Sequence, residues 1–177
     1  MGQSTAEIIP ARGLVQVQYR LEVIERQLPM GLPLARLNVV MHVLGVDEDR
    51  AKHLYESGLL QYAFDLSSTG SKRSEMRVYR DSIVAYSQNN ISHLLPKSQE
   101  ETAKALSAVI RACLPPGNGP ILLSKLRRLW SVSATHLHNL CTAGQITVIP
   151  NPQLKATESP LLSRESVTAF LRARRFL

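Results

Sequence analysis

Basic side chains gather in the last third of the chain, where they could neutralise a polyanion. Residues 111–177 carry nine Lys and Arg against two Asp and Glu, whereas residues 1–110 carry twelve of each kind, so the net charge of +7 arises entirely in the last third. Polarised positive charge favours a nucleic-acid partner, and a solvated basic surface is the alternative. The candidates for phosphate contact are Lys125, Arg127, Arg128, Lys155, Arg172, Arg174 and Arg175, together with Lys72 and Arg73.

A second group of side chains could recognise bases, if a helix carries them into the major groove. Asn139 could bind adenine through two hydrogen bonds, and Thr135 could contact a thymine methyl group or a phosphate. Arg50 suits guanine, and Glu48 could accept a hydrogen bond from the amino group of cytosine. A solvated helix face is the alternative in both stretches. The exposed positions that we predict are Ala134, Thr135, His136, His138 and Asn139 in one stretch, and Glu48, Asp49, Arg50, Lys52 and His53 in the other.

The sequence argues against catalysis and against a bound metal. His136 and His138 are two positions apart and would point to different faces of a helix. The glycines of residues 116–120 precede no Gly-Lys-[Ser/Thr] phosphate loop. His42 and His93 have no carboxylate three or four residues away. We therefore expect no enzymatic activity, no catalytic residue, no metal and no cofactor.

These candidate side chains lie within a sequence repeat. Residues 37–60 match residues 123–146 at a constant offset of 86, including a glycine at the same place in both stretches. Residues 79–86 then match residues 163–170 at an offset of 84, with the shared pattern R-[DE]-S-[IV]-x-A-[YF]. Chance alignment of amphipathic helices does not readily match glycines and serines as well as leucines. We infer two copies of one module.

Each copy has the pattern of two short helices joined by a tight turn. Apolar residues spaced i, i+3, i+4 and i+7 predict a first helix over residues 37–44 and 123–130, with Trp130 in the core. A second helix follows after three residues, and its caps are Asp47 and Ser133 at the start and Gly58 and Gly144 at the end.

After the glycine, the period changes to two. Leu60, Tyr62 and Phe64 alternate, which predicts a strand, then a polar loop and a short returning strand. A closing helix should begin at Asp81 in the first copy and at Ser163 in the second. A helix-turn-helix followed by a two-stranded wing and a closing helix is the predicted module.

This pattern resembles the excisionase/MerR-type winged helix-turn-helix DNA-binding domains, in two tandem copies. The pattern is G-V-[DS], then L-x-x-x-G-x-[LI], a hairpin, and R-x-S-[IV]-x-x-[YF]. The resemblance implies DNA contact by the second helix and the wing of each copy. The second copy departs from the pattern by having Ser131 where the turn often has glycine. The first departs by placing Glu48 and Asp49 at the head of its reading helix, where phosphates would repel them.

The remaining segments are predicted to support and connect the modules. Residues 12–28 fit a helix or a strand, and we favour a helix that covers the first module or pairs with another subunit. Residues 98–101 form a capping box that opens a helix to about Cys113, and residues 115–120 then form a Pro/Gly hinge. The predicted fold is mainly α with small β-hairpins (α+β). Its parts are an N-terminal arm (1–33), the first module (34–94), the connecting helix and hinge (95–119), and the second module (120–177).

Location and partners follow from the same observations. No apolar run approaches the ~20 residues that span a bilayer, and residues 1–11 do not resemble a secretory signal. Cys113 and Cys141 are expected to be buried thiols in a reducing compartment, so we expect a cytoplasmic, nucleoid-associated protein. The sequence predicts a sequence-specific double-stranded DNA-binding protein. The resemblance implies a transcriptional regulator, or an excision and directionality (architectural) factor, of a mobile element. The alternative is an adaptor whose neutral first module binds a recombinase, a replication protein or a second copy as a homodimer.

Overall fold

The chain is an α+β protein, as the sequence predicts. The structure is a computed structural model that describes residues 22–24, 26–28, 30–71, 74–88, 99–150 and 159–176. No helix in these ranges has the length and apolar character needed to cross a membrane. Residues 22–24 and 26–27 are helical, and Ile24 and Leu28 are buried, whereas the start of the ambiguous 12–28 segment lies outside the described ranges.

The elements fall into two units joined by a helix. Unit one consists of β1 (Leu34–Arg36), α1 (Leu37–Leu44), α2 (Glu48–Glu56), β2 (Ala63–Asp65), β3 (Met76–Tyr79) and α3 (Arg80–Ser87). Helix α4 (Gln99–Ala112) follows. Unit two consists of β4 (Ile121–Leu122), α5 (Leu123–Trp130), α6 (Ala134–Thr142), β5 (Val148–Ile149), β6 (Leu161–Leu162) and α7 (Arg164–Ala173).

Each unit contains a three-stranded antiparallel sheet, where the sequence predicted two strands. The strand orders are β1-β3-β2 and β4-β6-β5, so the returning strand is central in both sheets. The additional strand precedes the first helix of each unit and is only three residues long in β1 and two in β4. Such short strands show no alternation of apolar and polar residues, which explains why the sequence pattern did not reveal them.

The turns and caps between the paired helices follow the prediction. The Asp47 carboxylate accepts a hydrogen bond from the Arg50 amide at 2.8 Å, and the Ser133 hydroxyl accepts one from the His136 amide at 3.1 Å. Gly45 ends α1 in the left-handed conformation at φ 65°, and Ser131 ends α5 in the same conformation at φ 51°. Serine adopts this conformation at a steric cost that glycine avoids, so the second turn keeps its shape without the glycine.

Two local predictions are wrong. Helix α3 begins at Arg80, with Tyr79 as its cap residue, so Asp81 lies within the first turn instead of preceding the helix. The strand predicted from Leu60 to Phe64 begins only at Ala63, because Tyr62 has a φ of 58° that interrupts extended backbone. Ser163 does cap α7, as predicted, and accepts a hydrogen bond from the Ser166 amide at 3.2 Å.

The two units share a hydrophobic core. The core of unit two contains four unit-one side chains, which are Leu34, Tyr62, Phe64 and Leu66, besides residues of α4. Trp130 is fully buried there, as predicted, and its indole N–H donates to the Cys113 carbonyl at 3.0 Å. Cys113 is fully buried, whereas Cys141 is only half-buried.

The segment predicted as a hinge, residues 115–120, is hydrogen-bonded to α7. Pro115 is buried, and the Arg164 guanidinium of α7 donates to the carbonyls of Pro115 at 3.0 Å and Gly119 at 2.8 Å. Because this segment is tied to α7 and the units share a core, the fold holds the units in one arrangement.

Candidate nucleic-acid interface

A basic groove runs along α5. Leu123, Leu126 and Trp130 bury one face of this helix, so Lys125, Arg127 and Arg128 project from its exposed faces. The groove has a volume of about 560 Å³. Its lining consists of Arg36, Ser124, Lys125, Arg127, Arg128, Ser131 and Val132. Four cations therefore line one groove without a carboxylate among the lining residues, an arrangement that attracts a polyanion.

Arg36 is a cation of this groove that the sequence pattern does not indicate. It is exposed at the end of β1, and its guanidinium donates to the Ser131 carbonyl at 2.9 Å. Arg36 lies in the charge-neutral part of the sequence, so neither charge nor spacing singles it out. Only the packing of unit one against α5 brings it beside Arg127 and Arg128.

The exposed face of α6 carries three of the five predicted reading residues. Thr135, His138 and Asn139 are exposed, while Leu137 and Leu140 are buried. Positions i, i+3 and i+4 of a helix lie on one face, so these three side chains form one polar surface. The fourth predicted residue, Ala134, is partly exposed at the start of the helix.

His136, predicted to be an exposed reading residue, is instead half-buried against unit one. Its Nε2 lies 2.8 Å from the Leu66 carbonyl oxygen, so Nε2 carries the proton and donates. The cause is tertiary packing, since the neighbouring loop of unit one covers this face of α6. His136 therefore joins the two units.

Helix α2 presents the corresponding residues of unit one. Glu48, Asp49, Arg50 and His53 are exposed, as predicted. Lys52 forms an ion pair with Glu48 at 2.7 Å, one helical turn away. The hydrogen bond and the charge of Glu48 raise the pKa of Lys52. Because Glu48 balances the charge of Lys52, Arg50 is the stronger candidate for DNA contact on this helix.

The two cations after α7, which the sequence predicted to contact phosphates, pack against aromatic rings. The Arg174 guanidinium lies 5.5 Å from the Phe170 ring centroid and 3.4 Å from the Thr69 hydroxyl. The Arg175 guanidinium lies 5.3 Å from the Tyr62 ring centroid. Both side chains contact aromatic rings between the units, whereas Arg172 is exposed on α7. The three wing cations, Lys72, Arg73 and Lys155, lie outside the described residues.

The backbone of this segment extends the sheet of unit one. The Asp65 amide donates to the Arg174 carbonyl at 2.9 Å, and the Phe176 amide donates to the Ala63 carbonyl at 2.8 Å. The Phe176 ring meets the Tyr55 ring edge-on, with 5.2 Å between the centroids. Residues 174–176, which we call the tail, therefore pair with β2 in an antiparallel bridge.

A buried arginine holds α5 against unit one. Arg77, on β3, is only 3% exposed, and its guanidinium donates to the Trp130 carbonyl at 2.8 Å and the Ser131 carbonyl at 3.0 Å. Glu75 pairs with it at 3.1 Å. Burial lowers the pKa of Arg77, and the charge of Glu75 opposes that shift. A cation at the carbonyl end of a helix also stabilises the helix dipole.

The described residues offer no group of three or more His, Cys, Asp or Glu side chains placed to hold a metal ion.

The chain matches no protein-family model, no curated protein and no solved structure. The basic groove and the polar face of α6 are therefore the features from which a function can be inferred.

Proposed function

We propose that the protein binds double-stranded DNA sequence-specifically through two winged helix-turn-helix units, without catalysis. The observation that carries the proposal is the groove of Arg36, Lys125, Arg127 and Arg128, which lies beside the turn that leads into α6. Cations in this groove contact phosphates and position the protein, while the polar face of α6 contacts base edges.

The two surfaces have different energetic roles. Each phosphate neutralised by Lys or Arg releases condensed counterions, which makes the affinity fall with salt. Amide and hydroxyl groups on α6 contribute discrimination between bases, at about 1–3 kcal/mol for a good bidentate contact. The proposed role is that of a transcriptional regulator or an architectural factor of a mobile element, associated with the nucleoid in the cytoplasm. Such a protein needs both the affinity from phosphate contacts and the discrimination between bases.

The first test compares two triple variants on a random-sequence duplex in gel-shift titrations at low and moderate salt. Lys125, Arg127 and Arg128, all changed to Ala, should weaken binding to every sequence. They should also reduce the slope of log K against log salt by about 1 for each phosphate that the variant no longer neutralises. The control variant changes Arg26, Lys104 and Arg111 to Ala, which removes the same charge from exposed positions outside the groove.

The outcomes separate three models. A larger effect of the groove variant supports the proposed interface. Equal effects of the two variants would mean that binding follows net charge and that the groove has no special role. The absence of any shift by the unmodified protein at low salt would refute DNA binding and leave the adaptor function.

A second test concerns base recognition. Asn139→Ala should relax sequence preference while changing affinity for random DNA less than the groove variant does. Arg50→Ala combined with Lys52→Ala should have a smaller effect than either, because α2 carries acidic residues and an internal ion pair. If this double variant loses binding while the groove variant binds normally, the DNA interface lies on unit one, and the proposed assignment to unit two is wrong.

A further inference from the structure

At the junction between the units, one unit contributes hydrogen-bond donors from side chains and the other contributes backbone carbonyl acceptors. Unit one contributes the side chains of Arg36 and Arg77, and unit two contributes the Trp130 and Ser131 carbonyls at the end of α5. Both arginines donate to the carbonyl of Ser131, the residue whose left-handed conformation ends the helix.

The equivalent positions cannot form the reciprocal contact. In the sheet of unit one, Arg36 of β1 lies opposite Arg77 of β3. The equivalent positions in the sheet of unit two are Leu122 of β4 and Leu161 of β6, which also lie opposite each other. Leucine side chains have no hydrogen-bond donor, so these two positions of unit two cannot form the equivalent hydrogen bonds to the end of α1 at Gly45. A contact with two-fold symmetry requires the same residues on both sides. The units are therefore joined head to tail.

The head-to-tail arrangement is fixed by several independent contacts. Phe64 and Leu66 of unit one are fully buried in the core of unit two. The tail pairs with β2 of unit one, and His136 bonds to the Leu66 carbonyl. Reorienting one unit against the other would expose these apolar side chains and break the hydrogen bonds.

Both second helices border the same groove between the units. Glu48 and Lys52 of α2 lie on one part of its wall, and His136 of α6 lies on another, beside the cap residue Ser133. The groove has a volume of about 710 Å³ and shares Arg36 and Val132 with the basic groove. Helices α2 and α6 are therefore close enough to contact neighbouring parts of one duplex.

We infer that one chain recognises one DNA site without two-fold symmetry, in which α2 and α6 contact two different blocks of bases at a fixed spacing. This inference rests on the proposed function. Sites of dimeric helix-turn-helix proteins are palindromic because the protein has a two-fold axis. Here the units lack such an axis, and their exposed residues differ, with Arg50 and His53 on α2 against Thr135 and Asn139 on α6.

The experiment is selection of bound duplexes from a randomised library with the unmodified chain, followed by native mass spectrometry of the selected complex. The expected motif is asymmetric and is bound by one chain. Asn139→Ala and Arg50→Ala should relax different blocks of that motif. Insertion of about five base pairs between the blocks, which turns one block to the opposite side of the duplex, should weaken binding at least tenfold. The same insertion outside the blocks is the control.

Failure of this inference is distinguishable from failure of the proposed function. An inverted repeat bound by two chains would overturn the inference and leave DNA binding intact. A motif unchanged by Arg50→Ala, or an insertion without effect, would also overturn it. Binding that enriches no motif would overturn both the inference and the sequence specificity of the proposed function. The absence of any complex at low salt would overturn the proposed function itself.

Discussion

Replacement of Arg77 by Met should destabilise the whole protein, because this side chain joins the units from a buried position. Met keeps an unbranched apolar chain in the site and removes the guanidinium. The variant loses the two hydrogen bonds that the Arg77 guanidinium donates across the junction, to the Trp130 carbonyl at 2.8 Å and to the Ser131 carbonyl at 3.0 Å. Ser131 keeps its bond from Arg36, so its carbonyl retains a partner.

The magnitude follows from these hydrogen bonds. A hydrogen bond to a charged group contributes about 1.5–3 kcal/mol, so two of them give a decrease of about 3–6 kcal/mol in the free energy of unfolding. A similar cost, about 3–5 kcal/mol, applies when one partner of a buried ion pair is removed. A destabilisation of about 1 kcal/mol lowers the unfolding midpoint of a chain of this size by ~2–4 °C, so the expected decrease is roughly 6–24 °C.

Thermal unfolding followed by two signals is the suitable assay. Trp130 is the single tryptophan and lies at the junction itself, so its fluorescence reports the junction, while circular dichroism reports all helices. The two signals should give one midpoint, because the units share a core. Arg128→Met, at an exposed position on α5, is the matched control and should change stability by less than about 0.5 kcal/mol. If Arg77→Met melts within about 1 °C of the unmodified protein, or shifts no more than the control, the Arg77 side chain does not stabilise the fold.

Three further predictions test the packing. Trp130→Ala should cost about 3–5 kcal/mol, and an unchanged melting temperature would mean that the indole is exposed. Burial raises the pKa of Cys113 to about 12 and also raises that of the half-buried Cys141. A thiol reagent at pH 8 should therefore modify Cys141 first, because both thiols are mainly protonated and only Cys141 is accessible. The order of modification is measured by mass spectrometry, and modification of Cys113 before Cys141 would contradict the prediction. Deletion of residues 174–177 should lower the free energy of unfolding by about 1–3 kcal/mol in urea titrations. Phe176→Ala should cost less than the deletion, and equal stability of the truncated and full chains would show that the tail contributes nothing.

The sequence predicted the features that local chemistry determines. Spacing of apolar residues located the paired helices, and the capping preferences of Asp47 and Ser133 located the starts of α2 and α6. The burial of Trp130 followed from its position in the apolar stripe of α5. In each case the determining residues lie within a few positions of one another.

Features that depend on distant contacts were beyond the sequence. Nothing in the local sequence distinguishes His136 from the exposed residues beside it on α6. It is half-buried because the loop at Leu66, in the other unit, covers it. Arg77 looks like a surface charge, because arginine is rarely buried without partners, and its partners are carbonyls of another unit. The polar face of α6 was predictable from helical period, whereas the fourth cation of the basic groove, Arg36, was not.

The pairing of the tail with β2 has a consequence for how the chain folds during synthesis. Thr69 and Arg174, which meet beside this pairing, are 105 positions apart. Until residues 174–176 leave the ribosome, the edge of β2 is unpaired and the side chains of Phe64 and Leu66 lack their unit-two neighbours. Unpaired edges and transiently exposed apolar surface favour aggregation, and contacts between distant residues form slowly. The first unit therefore cannot complete its folding ahead of the second. A chain whose synthesis stopped before the tail would keep an unpaired edge on the sheet of unit one.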